Sequence, residues 1–237
     1  RPLVIAIALM LATPTFAADF TITAADGTET TPQVLNGAST GVIEAGGTLT
    51  VGAGLDAIDV VGPDNTLTNN GAITAGNTGI YAAPNATNAT ITNSGTIDAG
   101  DDGIKSRGAN AIITNSGSIN AGNDGIESYG ANAIITNSGI IDAEFSGIDS
   151  RGANAIITNS GTINGDDGIA SFGDDATITN SGTINGDDGI YSTGADAIIN
   201  NSGHITGTNY AIVGGTSDSL TLNLLKGSQL MGAIDLG

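Results

Sequence analysis

From residue 66 onward the apolar positions of this chain recur in columns and not along one face of a helix. One column reads Leu67, Ile91, Ile113, Ile135, Ile157, Ile178 and Ile199. A second reads Ile73, Ile97, Ile119, Ile141, Ile163, Ile184 and Ile205, and a third Ile80, Ile104, Ile126, Ile148, Ile169, Ile190 and Ile212. Within the stretch "AIITN" at 111–115 the residue before the first column varies: Thr90, Ile112, Ile134, Ile156, Thr177, Ile198. Side chains alternate across a strand, so the invariantly aliphatic column faces a core and the mixed Thr/Ile column faces out. Ala89, Ala111, Ala133, Ala155, Ala176 and Ala197 then also point inward. The pattern predicts three short strands per copy.

The copies are set by two spaced phrases. Asn-Ser-Gly, or its close variants, places glycines at 71, 95, 117, 139, 161, 182 and 203, in steps of 24, 22, 22, 22, 21 and 21. Gly-Ile recurs at Gly79, Gly103, Gly125, Gly147, Gly168 and Gly189. The length changes fall in loops, between Asn-Ser-Gly and Gly-Ile in the late copies and near Pro84 in an early one. A repeat this short has too few apolar residues to fold alone, so the copies must stack. The expected fold is all-β: a right-handed parallel β-helix of about 22 residues and three short strands per coil, each coil about 4.8 Å above the last. Each buried isoleucine contributes roughly 1.5–3 kcal/mol gross, which lets a stack offset an ordering entropy that one copy cannot.

The recurring Asn69, Asn93, Asn115, Asn137, Asn159, Asn180 and Asn201 fit the same scheme. An amide can donate to and accept from the same amide one coil away, and the Ser-Gly that follows makes a corner.

Composition narrows the function classes. Twenty-four acids against five bases give a net charge of −19, which argues against nucleic acid and anionic membrane as partners. There is no cysteine, hence no disulfide or thiolate metal site, and 37 glycines agree with many turns. At the start, Arg1 precedes an apolar run from Leu3 to Ala12, and Thr15 and Ala17 are small enough for signal-peptidase pockets. The run is too short to span a bilayer. Residues 1–17 are therefore expected to be a signal peptide, 18–41 an N-terminal cap, and 42–237 the repeat array, with coils starting near Val42 and the array incomplete at its C-terminal end.

A signal segment followed by "ITNSGTI…DGI" copies, ending in "LTLNLLKGSQLMGAIDLG" at 220–237, resembles the passenger region of bacterial autotransporters, the type V secretion proteins. The resemblance implies export through the periplasm to the cell surface, outer membrane or medium. It also implies a C-terminal outer-membrane β-barrel as the chain's own translocator, and no barrel strands precede Gly237. A host-surface or glycan ligand is the further partner it suggests.

Four features carry candidate chemistry. Asp101-Asp102, Asn123-Asp124, Asp166-Asp167 and Asp187-Asp188 are expected to meet across coils, as solvated turns or as a calcium site. Paired carboxylates also raise the alternative of a polysaccharide-active β-helix, for which repeat-breaking acids and bases would have to converge. Arg107, Tyr129, Arg151, Phe172 and Thr193 form one column beside Lys105, Glu127 and Asp149, where guanidinium and aromatic groups can stack. The outward Thr/Ile column exposes an aliphatic strip. His204, the one histidine, has no triad context and reads as a surface residue. The acids belong to the repeat and bases are scarce, so no catalytic, cofactor-binding or metal-ligating residue is assigned. The expectation is a non-enzymatic stalk or adhesin-like passenger, with a secreted polysaccharide-active enzyme and a calcium-dependent repeat protein as alternatives.

Overall fold

The computed structural model describes residues 19–215 and 219–236, so the expected signal peptide lies outside the described residues. The chain winds into a parallel β-solenoid of about ten coils. One sheet holds ten strands, from Phe20–Ile22 through Ile112–Asn115 and Ile134–Asn137 to Thr221–Leu224. The second and third strands of each coil form a continuous 17-stranded sheet around the rest of the perimeter.

Coil stacks on coil in the register that the columns require. Ile91 pairs with Leu67 and Ile113, Ile97 with Ile73 and Ile119, and Ile104 with Ile80 and Ile126. The three isoleucine columns and the alanine column are buried throughout the array, and the interior is one elongated apolar cluster.

The asparagine column forms an amide ladder inside the coil. Asn69, Asn93, Asn115, Asn137, Asn159 and Asn180 each donate from Nδ2 to Oδ1 of the asparagine one coil on, at 2.7–2.9 Å. All are fully buried, so these bonds satisfy groups that water cannot reach. The glycine two residues later permits the coils to approach, because a Cβ at Gly117 would collide with the Gly95 carbonyl oxygen.

A second amide column was not foreseen. Asn88, Asn110, Asn132, Asn154, Asp175 and Asp196 hold positive φ of 56–60°, the left-handed conformation that Asn and Asp tolerate best among residues with a Cβ. Asn132 donates to Asn110, and Asn110 to Asn88, each at 3.0 Å.

Two expectations change. Coils begin before Val42: Phe20–Ile22 pairs with Thr40–Ile43, Thr28–Glu29 with Thr48–Ala53, and Gln33–Asn36 with Ile58–Val61. The segment expected as a cap is thus the first coil, with Leu35 fully buried where a core column begins. Its only helical turn, Ala24–Asp26, is held by a capping box between Thr23 and Asp26. Three separate strands per coil also fail late in the array. There the second and third strands run together into Thr183–Ser192 and His204–Gly214.

Candidate functional site

The departures from the repeat gather on the third strands, Ile104–Ser106, Ile126–Ser128 and Ser146–Ser150. Their middle residues are Lys105, Glu127 and Asp149, stacked in register. The residues just after these strands are Arg107, Tyr129 and Arg151, followed one coil later by Phe172.

Beneath this surface lies a charge cluster. Asp102, Asp124, Glu127 and Asp149 are all at most 6% exposed. Lys105 Nζ lies 2.7 Å from Asp102 Oδ2 and 2.5 Å from Glu127 Oε2. Arg151 holds Asp149 through Nε and Nη2, at 2.7 Å for the closest contact, and reaches Glu127 at 3.8 Å. Two cations therefore partly offset a row of four acids that would otherwise repel one another at coil spacing.

The acidic turns have a structural task of their own. Asp102 Oδ1 accepts from the Asp124 backbone N–H and from Asn123 Nδ2, and Asp124 Oδ1 accepts from the Ser146 N–H. Asp56 does the same for Thr78 and Asn77 in an earlier coil. Asp56, Asp102 and Asp124 each hold the backbone of the next coil, whereas the carboxylates of Asp166, Asp167 and Asp188 make no such bond among the described residues. The expectation of a solvated turn is corrected at Asp102 and Asp124, which are buried.

Burial shifts these groups. Asp124 is pushed up to about 6 by loss of water, opposed by the Ser146 N–H and reinforced by Asp149, Asp102 and Glu127. Asp149 is raised by burial, and its bond to Arg151 pulls the other way. Asp167 also rises to about 6, from burial and then from Asp188, Asp166, Asp149 and Asp187. For Lys105, burial favours the neutral amine, but the bonds to Asp102 and Glu127 outweigh it and hold the ammonium charged.

The outer layer is a stacked stripe. The Arg107 guanidinium lies 5.9 Å from the Tyr81 ring centre and 5.1 Å from that of Tyr129. Arg151 lies 5.1 Å from Tyr129 and 5.6 Å from Phe172, and Phe172 meets Tyr191 at 5.8 Å with the rings tilted by 60°. The predicted column of guanidinium and aromatic groups is brought together, with Tyr81 and Tyr191 added from the neighbouring column. Thr193 makes no ring contact in it.

The remaining candidates sit apart. Ile112, Ile134, Ile156 and Ile198 are 38–47% exposed, and none of the ten strands of their sheet contains a charged residue as described. His204 is exposed and aligned with Thr183 and Gln229, away from the cluster. An open groove of about 480 Å³ runs past Gly100, Asn120, Gly122, Asp142 and Glu144 without a cationic side chain on its walls. Sequence reasoning missed a column of buried serines, Ser106, Ser128, Ser150, Ser171 and Ser192, whose hydroxyls have no hydrogen-bond partner among the described residues. The signal was available, because each stands two residues after a core isoleucine and so faces the same way.

No protein-family model matches the chain, and comparison with curated proteins and with solved structures returns no match. Fold and site together define a parallel β-solenoid bearing one buried ion-pair cluster beneath a stripe of guanidinium and aromatic groups.

Proposed function

We propose that this chain is the rod of an autotransporter-type passenger, a non-enzymatic stalk and adhesin-like module displayed at the bacterial surface. The observation that carries the reading is the in-register stacking of ten strands in one sheet by a single short phrase, a construction that supplies length and stiffness. The resemblance of the signal segment and the Asn-Ser-Gly copies to such passengers supplies the rest. Its partners would be its own outer-membrane barrel and a ligand on a cell surface or glycan coat. An antibody against the 158–190 stretch tests it on cells that make the protein. Labelling of intact cells, lost after external protease, is expected; labelling only after permeabilisation would overturn it.

The polysaccharide-active reading draws on Asp124, an acid with a pKa of about 6 near Asp149, Asp102 and Glu127. Against it stand the burial of all four carboxylates and the engagement of Lys105 and Arg151 with them. No release of reducing ends from polysaccharides is the expected result, and release abolished by Asp124→Asn would favour the enzyme. The calcium reading draws on Asp102, Asp124 and Glu127, which can bring oxygens within 4.8 Å of one another. Lys105 already supplies positive charge to two of them, so a chelator should leave the melting temperature unchanged.

A further inference from the structure

Of the five cationic residues in the chain, three stand on one face, Lys105 and Arg107 on one coil and Arg151 two coils further on. In a protein with a net charge of −19, this is a local inversion of the surface. The acids that balance it are underneath, since Asp102, Glu127 and Asp149 are at most 4% exposed. A ligand approaching from solvent therefore meets guanidinium and aromatic edges first.

The two arginines differ in what they have left to give. Arg151 spends Nε and Nη2 on Asp149, and its Nη1 has no hydrogen-bond partner among the described residues. Arg107 has no ion pair or side-chain hydrogen bond at all among the described residues, yet it is held in place between Tyr81 and Tyr129. Its N–H donors are therefore free, in a fork that matches a carboxylate or sulfate. Tyr129 has a guanidinium on either side along the stack, Arg107 one coil before and Arg151 one coil after, each 5.1 Å from its ring centre.

We infer that the stripe from Tyr81 to Phe172 binds a linear anionic polysaccharide laid along the solenoid axis, with its acidic groups meeting Arg107 and Arg151. The two arginines are two coils apart, roughly 10 Å along the axis. That span suits an acidic group on every second sugar of an extended chain. Exposed edges of Tyr129 and Phe172 would pack against the sugars between them. The inference rests on the reading of the chain as a surface-displayed binding rod, and it names the ligand class.

The test is affinity electrophoresis of the purified chain through gels holding a polyuronate, a sulfated polysaccharide or a neutral glucan. Retardation by one or both anionic polymers and none by the glucan is expected, the two anionic gels separating carboxylate from sulfate as the group recognised. Arg107→Gln should weaken that retardation by roughly tenfold, the loss of a charge-assisted bidentate contact, without moving the melting temperature. Lys226→Gln, which removes a cation outside the stripe, should leave it intact. Three results would overturn the inference: no retardation by either anionic polymer, equal retardation by the glucan, or binding that survives Arg107→Gln. Any of them leaves the surface-labelling result untouched, so failure of the ligand and failure of the display reading are distinguishable.

Discussion

Two faces of the same solenoid obey one backbone rule and differ in what they place outward. The ten-stranded sheet shows Thr and Ile to solvent, carries no charge in its described strands, and repeats from coil to coil with little change. The third-strand face stacks with the same register but presents Lys105, Glu127, Asp149, Arg107, Tyr129 and Arg151 in place of a repeated residue. Both faces rest on one shared apolar core, so the core itself does not require this difference. The repeated phrase is a building rule, and candidate chemistry stands where the outward positions stop repeating.

The largest effects should come from what the two faces share. Ile135→Ala removes a fully buried side chain in mid-array and should cost about 2–5 kcal/mol in urea unfolding, the range for such truncations. Because coils are stabilised by their neighbours, the loss should also separate the transitions of the two halves. Lys105→Met acts on the charged face only. It strands Asp102 and Glu127 without their cation and should cost about 3 kcal/mol at neutral pH. Ile134→Gln on the neutral face, being exposed, should change stability by less than about 0.5 kcal/mol.

A pH titration sharpens the contrast. Asp124 and Asp167 have folded pKa values near 6, raised above the unfolded value of 3.8. The folded state therefore binds protons more tightly than the unfolded one between these values. The stabilisation is fully present below about pH 3.8 and is lost as pH rises through about 6, so these groups should make the melting temperature higher at pH 5 than at pH 7.5. Asp124→Asn should flatten part of that slope. The smallest effect is expected at Ser128→Ala, which removes a buried hydroxyl without a partner. The change should be near neutral or slightly stabilising, since Ala82 already fills the same column.

The fold was legible because strand periodicity and coil periodicity reinforce one another: seven copies of one isoleucine column leave a single way to stack. The amide ladder at Asn115 and the stacked column at Arg107 and Tyr129 followed from the same counting. The first coil was not legible, because Phe20–Ile22 and Gln33–Asn36 lack the Asn-Ser-Gly and Gly-Ile phrases, although Ile22 and Leu35 join the core. The buried acids escaped for a different reason. Glu127 and Asp149 occupy positions that a two-residue alternation assigns to solvent, and they are buried among charged side chains of neighbouring coils, with Lys105 and Arg151 set against them. That closure is a property of side chains from several coils, which no single copy displays. The fused strand at Thr183–Ser192 was not legible either, since the equally short loop one coil earlier leaves Thr162–Asn164 and Asp167–Ser171 separate.

The central claim is that the molecule is functionally two-sided, and backbone amide NMR during titration with the anionic polysaccharide tests it most directly. The account predicts shift changes confined to residues 105–107, 127–129, 149–151 and 170–172, with the amides of 112–114, 134–136 and 156–158 unmoved. Changes concentrated on the neutral sheet, or no changes on either face at saturating polymer, would contradict it.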